Sequence, residues 1–325
     1  MINKEYPLVY AIVLNWNGYE DSVKCIESLL NSSYTNLKIL IVDNASSDNS
    51  AVLLVSKYPQ IELINSKNNG GYASGMNIGT RQALELGAEF LLYVNNDVIV
   101  TEDFLEPMLK VALANKQVGM ISPKVLYQHD PLKIYCAGGE LSLWHCVGLA
   151  KYQGKSADKY GVYSRNISIA EGCFIFIRKE VFEKVGFMNE NFFMYFEDAE
   201  FARRVNLHFD ILFLPNSIVY HKSGAGHSWS QYSNVYYYYY TRNRFLFFSE
   251  KPLIYKFYVI AFSVVNSMAK SLVLIGRWIT AKSHRFKTKQ SLIILWKGTY
   301  DGFLLILKLS DINDSRYESK LNSTS

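Results

Sequence analysis

Four short apolar runs in the first hundred residues, at 8–14, 37–42, 61–64 and 90–94, each end in a polar turn that leads towards a segment of helical spacing. Runs this short, rich in Val, Ile and Leu and without polar alternation, read as strands buried on both faces. Between the first two, apolar residues fall at 23, 26, 29 and 30, a helical period. Residues 47–57, 73–86 and 102–114 read as helices on the same ground. Strands alternating with helices over about 120 residues predict an α/β fold with a mostly parallel, Rossmann-like sheet flanked by helices. With 49% hydrophobic and 19% charged residues, the chain can bury a large core, which excludes global disorder.

Beyond residue 124 the period dissolves, and loops with irregular strands are expected as far as 168. A strand at 172–177, a helix starting near Glu197 and a strand at 209–214 restore order. After about residue 230 the character changes again, which predicts a catalytic domain over 1–230 and a helical, basic and apolar region over 231–325. Five consecutive tyrosines, Tyr236 to Tyr240, precede Thr241-Arg242-Asn243-Arg244. Between Glu250 and Asp301 there are nine Lys or Arg and no acidic residue. That stretch carries +9 in a chain of net +5, so the remainder sums to −4. The overall charge is too small to argue for nucleic acid. Basic residues laid over apolar runs at 257–276 and 292–296 predict helices resting on a membrane surface, with a buried helix, a true span or a homodimer contact as alternatives. Cys25, Cys136, Cys146 and Cys173 are far apart and read as reduced thiols. The seven-residue run at 8–14 is too short for a signal peptide, so a cytoplasmic location is expected, peripheral on the inner face of the membrane.

In a parallel α/β sheet, ligands gather at the carboxyl ends of the strands. The four strands end in Asn15-Trp16-Asn17-Gly18, Asp43-Asn44, Asn69-Gly70-Gly71 and Asn95-Asn96-Asp97. Small polar and acidic groups there suit a phosphorylated ligand, although Asp43 reads equally as a cap or turn carboxylate. No Walker or Rossmann phosphate loop is present. Asp97, with Asn95 two positions earlier, suits a hard divalent cation. Glu197 and Asp198 follow a run of aromatics, and burial among rings would raise a carboxylate towards the range of a general base. The bland reading is a pair of acids set against a helix dipole. Glu200 and Arg204 are spaced to pair. His221 closes the apolar run 218–220 and reads as either structural or a metal ligand.

Together these residues resemble the inverting glycosyltransferases of family 2, with the GT-A fold. The resemblance covers about residues 8–250. It is carried by the ordered series Asn15-Trp16-Asn17, Asp43-Asn44-Ala45-Ser46-Ser47-Asp48, Asn69 to Gly79, Asn95-Asn96-Asp97, Glu197-Asp198 and His221. The Asn-Trp-Asn-Gly start and Arg242-Asn243-Arg244 are most similar to the bacterial rhamnosyltransferase-like branch. The resemblance implies that Asp43 holds the nucleotide base beside Asn15. Gly71 and Asn77 would line the diphosphate, and Asn44 and Asn96 would belong to the same donor-binding set. Asp97, Asn95 and His221 would hold Mg²⁺ or Mn²⁺; Asn95 stands where the family has an acid, which removes one charge. Asp198, with Glu197 beside it, matches the base, and Gly172 would let the acceptor approach it. Apart from the resemblance, Arg242 and Arg244 fall in the sequence between the catalytic domain and the basic, apolar stretch, a position from which they are expected to meet an acceptor's phosphate. The implied donor is a nucleotide sugar, with dTDP-rhamnose first and UDP sugars next. The implied acceptor is a glycan or lipid-linked glycan of bacterial cell-surface polysaccharide synthesis. Two other classes compete: a nucleotidyltransferase on a similar sheet, and a non-catalytic sugar- or lipid-binding module. The first lacks its basic Gly-rich loop, and Asp97 and Asp198 argue against the second.

Overall fold

A computed structural model describes residues 6–222, 233–280 and 285–308. The predicted boundary at 230 and Lys282 of the basic stretch lie outside the described residues. The chain divides into two compact units. The first takes the described residues within Met1–Leu141, Gly148–Glu190 and Glu197–Ala225; the second takes those within Ser142–Val147, Asn191–Phe196 and Gly226–Ser325.

The first unit opens with β1 (Val9–Asn15), α1 (Tyr19–Leu30), β2 (Leu37–Asp43), α2 (Ser50–Lys57), β3 (Glu62–Asn65), α3 (Gly71–Glu85) and β4 (Phe90–Asn95). It continues with β5 (Val98–Val100), α4 (Leu105–Ala114), β6 (Val118–Tyr127), β7 (Ile134–Cys136), β8 (Gly139–Ser142) and β9 (Val147–Ala150). Then come β10 (Arg165–Asn166), β11 (Phe174–Arg178), α5 (Lys179–Val185), α6 (Glu197–Val205) and β12 (Asp210–His221). The main sheet runs β10-β12-β6-β11-β4-β1-β2-β3, with β5 on β12 and β7 on β6. Strand β1 lies parallel to both β2 and β4, and β2 lies parallel to β3, as the alternation of strands and helices predicted. Strand β11 runs antiparallel between β4 and β6, and β12 runs parallel to β6.

Side-chain alternation along β1 feeds two cores. Val9, Ala11 and Val13 pack with Cys25, Ile26 and Leu29 of α1, while Ile12 packs with Met76 of α3 on the other face. Helix α3 comes close because its contact stripe is glycine. A Cβ on Gly79 would stand 2.5 Å from Ile12 Cγ2, and one on Gly75 would stand 2.3 Å from Leu14 Cδ1.

Three local readings needed correction. The second helix begins at Ser50 rather than 47, because side chains take up the backbone N–H groups before it. Ser46 N donates to Asp43 Oδ2 at 2.9 Å, and Ser47 N donates to Asn17 Oδ1 at 2.8 Å. Strand β6 is one strand over Val118–Tyr127, so its end runs into the region from 124 where loops and irregular strands were expected, and it is buried along almost its whole length. Strand β12 runs past the expected end at 214 to His221, with a register shift between Leu214 and Ile218. Pro215, which cannot donate to a ladder, lies in that shift.

The second unit contains a π-helical turn at Tyr236–Tyr240, α7 (Thr241–Phe248), α8 (Leu253–Thr280) and α9 (Arg285–Ile306). Gly298 and Gly302 of α9 let it approach the others: a Cβ would stand 2.6 Å from Tyr238 O and 2.3 Å from Phe245 Cδ2 respectively. Helix α8 is reversed in polarity. Its buried face carries Ser263, Ser267, Lys270 and Ser271 with Val259 and Leu274. Its exposed face carries Ile254, Phe257, Val265, Met268, Leu272 and Ile279, each more than half exposed. By length and composition α8 is the one described helix that could cross a membrane.

Candidate active site

The first three strand ends are tied together by side-chain hydrogen bonds. Asn15, fully buried at the end of β1, donates Nδ2 to Asp43 Oδ1 at 2.6 Å and to Ser50 Oγ at 2.9 Å. Its Oδ1 accepts from Ser22 Oγ at 2.8 Å. Asp43, 3% exposed at the end of β2, also accepts from Ser46 Oγ at 2.7 Å. Asn15, itself fully buried, orients Asp43 and Ser46. Asn44 secures the glycine turn: its Nδ2 donates to Asn69 Oδ1 at 2.9 Å and to Gly71 O at 3.1 Å. Gly71 has φ +78°, a left-handed conformation that favours glycine, and it opens α3, where its N–H donates to Asn69 Oδ1 at 2.9 Å.

Two of the expected donor residues brace the frame. Asn77 is 1% exposed, and its Nδ2 donates to Met188 O at 2.9 Å and to Glu190 Oε1 at 2.8 Å. Met188 N donates back to its Oδ1 at 3.0 Å. With both N–H groups spent, Asn77 holds the 188–190 segment. Asn96 donates to Gly18 O at 3.3 Å and to Ser22 Oγ at 3.0 Å, holding the first loop.

Sheet register brings Asp97 and His221 together. His221 ends β12 opposite Val98 of β5, one residue after Asp97. His221 Nε2 stands 3.1 Å from Asp97 Oδ1, and Lys222 N donates to Asp97 O at 3.0 Å. Asp97 Oδ1 and His221 Nδ1 are buried without a hydrogen-bond partner. Asp97 Oδ1 and His221 Nε2, which face one another, fit half of a divalent cation's shell, while the partnerless nitrogen is Nδ1, the other one of the ring. No group of three His, Cys, Asp or Glu among the described residues could hold a metal ion. Asn95, two residues before Asp97, ends β4.

The carboxylates at 171–198 form a second cluster. Asp198 lies in the first turn of α6, where its Oδ2 accepts from Gly172 N at 3.1 Å and its Oδ1 from Ala199 N at 2.7 Å. A Cβ on Gly172 would stand 3.2 Å from Asp198 Oδ2, so glycine there leaves the carboxylate uncovered. Tyr72 of α3 donates its hydroxyl to Gly172 O. Tyr195 and Phe196, just before α6, both have left-handed backbone, with φ +70° and +73°. Strain of this kind clusters at functional sites.

Burial raises Asp198 above the usual aspartate range, against the three backbone N–H groups that favour its charged form. Burial, then repulsion from Asp198, raises Glu197 well above its ordinary value, and Glu197 Oε2 has no partner. Burial and Asp198 also push Glu171 up to about 7, against the pull of His221. The two acids differ in their partners: backbone N–H groups favour the charged form of Asp198, whereas Glu197 Oε2 has no donor and is pushed up further by Asp198. Glu200 is committed elsewhere, since Arg204 Nε and Nη2 donate to its two oxygens at 2.8 and 2.9 Å, the pairing read from the sequence. Glu171 was missed by sequence reasoning. Its signal was a lone acid at the mouth of an apolar strand, one residue before Gly172.

Arg242 and Arg244 are buried in the helical unit, at 6% and 2% exposure. Arg242 Nη1 donates to Asn243 Oδ1 at 2.9 Å and Asn191 O at 3.4 Å, while Asn243 Nδ2 holds Met194 O and Tyr195 O, both at 2.9 Å. Arg242 and Asn243 thus pin the 191–196 segment.

A family model described as "Glycosyl transferase family 2" matches residues 10–186, more than half of the chain. Among curated relatives, the low-salt glycan biosynthesis hexosyltransferase Agl10 of Haloferax volcanii is 29% identical over 60% of this chain and 62% of its own length. The chain therefore spans less than two thirds of that relative. The dTDP-rhamnosyl transferase RfbF of Shigella flexneri is 26% identical over 80% of this chain and 86% of its own length. Among solved structures, a mannosyltransferase of Pyrobaculum calidifontis in complex with GDP-Man and Mn²⁺ aligns over 96% of this chain and 89% of its own. Its TM-score is 0.55 and its identity 14%, a likeness of fold. The fold is GT-A.

Proposed function

Since the chain belongs to glycosyl transferase family 2, we propose that it moves a sugar from a nucleotide-sugar donor to an acceptor hydroxyl with inversion at the anomeric carbon. The observation that carries this reading is Asp198, presented over a glycine by one cluster while Asp97 and His221 form another. The donor's base would lie at Asp43 and its diphosphate along Gly71 and Asn44 towards Asp97. A divalent cation, Mg²⁺ or Mn²⁺, bound at Asp97 and His221 would neutralise the charge growing on the departing diphosphate. Asp198 takes the acceptor proton as the acceptor oxygen attacks, its charged form favoured beforehand by the N–H groups of Gly172 and Ala199. Gly172 leaves room for the acceptor. One displacement inverts the centre without a covalent enzyme intermediate.

The first donor to try is dTDP-rhamnose, on the strength of the relative named a dTDP-rhamnosyl transferase, with UDP and GDP sugars beside it. The acceptor is a glycan or lipid-linked glycan, and cell-surface polysaccharide synthesis is the setting. The reversed polarity of α8, apolar outward and polar inward, supports peripheral membrane contact by the helical region. Incubating the protein with a panel of nucleotide sugars and measuring released nucleoside diphosphate tests the reading. Release from one donor, stimulated by acceptor, supports it; release of pyrophosphate would favour a nucleotidyltransferase, and no release a binding module.

A further inference from the structure

The helical unit buries two cations that no described carboxylate answers. Lys270, on α8, is 3% exposed, and its Nζ makes no hydrogen bond. Arg244, on α7, is 2% exposed; its Nε donates to Cys146 O at 3.2 Å, while its Nη1 is left without a partner. The two cations share a ring: the Tyr240 centroid lies 5.2 Å from Lys270 Nζ and 5.3 Å from Arg244 Cζ. Tyr236 stands 5.0 Å from Lys270 Nζ, and Phe262 stands 5.3 Å from Arg244 Cζ. Two hydroxyls on the same helices, Thr241 Oγ1 of α7 and Ser263 Oγ of α8, are also buried without partners. Thr241 and Arg244 are three residues apart on α7, and Ser263 and Lys270 seven apart on α8, spacings that keep each pair on one helix face.

Like charges brought out of water side by side are costly, and ring faces return only part of that cost. The strain is visible in Lys270, which burial and then repulsion from Arg244 push down to about 7. Burial lowers Arg244 as well, opposed only by tyrosines and a cysteine. A chain shaped for stability alone would carry an apolar side chain at 270. Unpaired buried donors of net positive charge make sense when an acceptor-rich anion completes them.

We propose that Arg244 and Lys270 form a binding site for a phosphoryl anion, a phosphate or diphosphate group, with Thr241 and Ser263 as neutral donors. A guanidinium fork and an ammonium together match the charge and the oxygens of such a group. The same chemistry is offered by the diphosphate of a lipid-linked acceptor, by a phospholipid headgroup and by free pyrophosphate. The site does not depend on the transfer reaction.

Thermal unfolding of the full-length protein in excess EDTA tests the site without metal-bridged binding at Asp97. Inorganic pyrophosphate is expected to raise the midpoint saturably. Lys270→Met is expected to raise the midpoint of the ligand-free protein, by removing a buried like charge. It should also weaken pyrophosphate binding by about tenfold or more. Lys270→Arg, which keeps the charge, should retain the response and covers the case in which the methionine variant fails to fold. Farnesyl diphosphate acting at lower concentration than pyrophosphate would identify a lipid-linked diphosphate as the source. Phosphatidylglycerol vesicles acting where phosphatidylcholine vesicles do not would identify a headgroup. No response to any of these probes would overturn the site, as would an undiminished pyrophosphate response in Lys270→Met. Because the readout is binding, either failure leaves the transfer reading standing.

Discussion

Asp97 and His221 show how little of a site can be read one residue at a time. Each was legible as a candidate, but their meeting depends on β5 pairing with β12, which no local spacing announces. Asp97→Ala is expected to weaken donor binding in the presence of Mg²⁺ or Mn²⁺ far more than in EDTA, measured by titration calorimetry. Equal loss in both conditions would detach Asp97 from a metal. Glu197 makes a separate claim about stability. Its folded-state value is raised by burial and by Asp198, so it favours the folded state while protonated in both states. That contribution is complete below the ordinary glutamate value and is lost as pH rises towards the raised one. Glu197→Gln, which stays neutral, is expected to flatten the fall in melting midpoint as pH rises above the ordinary glutamate value. An unchanged pH profile would mean that Glu197 is charged in the fold. Glu171 went unread because its environment is built by burial beside Asp198 and His221, far from it in sequence.

Elements were read best where local pattern and tertiary setting agree. The parallel core β1, β2, β3 and β4, with α1 and α3, came from short apolar runs and helical spacing that the sheet then buries on both faces. Strand β6 was missed because Gly119, Ser122, Pro123 and Lys124 interrupt its apolar character, although neighbours bury them all. Helix α5 was missed because seven residues carry too little period to stand out. Helix α3 lies close against β1 and β2. Gly79→Ala improves intrinsic helix propensity by about 1 kcal/mol. Its Cβ, however, would meet Ile12 Cγ2 at 2.5 Å and Val42 Cγ2 at 3.0 Å. Overpacking typically costs about 1–3 kcal/mol, so the sterics outweigh propensity. Urea denaturation should show net destabilisation; a stabilised variant would show that α3 can shift away.

At the scale of the whole molecule, two kinds of surface coexist in one chain. Composition showed that the C-terminal stretch is basic and apolar, but its polarity was hidden, because only the packed helices reveal that α8 turns its serines and Lys270 inward. Each basic residue near an anionic leaflet contributes about 1 kcal/mol within a Debye length, added to the burial of the outward apolar face. The protein is therefore expected to sediment with phosphatidylglycerol vesicles, less so as salt rises, and to lose this on truncation after residue 250. Equal recovery in the supernatant with neutral and anionic vesicles would favour a helical dimer contact. The central claim, however, is transfer driven by Asp198. Once a donor is found, its affinity and its single-turnover transfer rate can be measured on the same samples of wild type and Asp198→Asn. The substitution keeps size and removes proton affinity, and loss of a general base typically costs about 10²- to 10⁴-fold in rate. A loss in that range with donor affinity unchanged is expected; near-normal transfer by Asp198→Asn would contradict the role of Asp198 as the base.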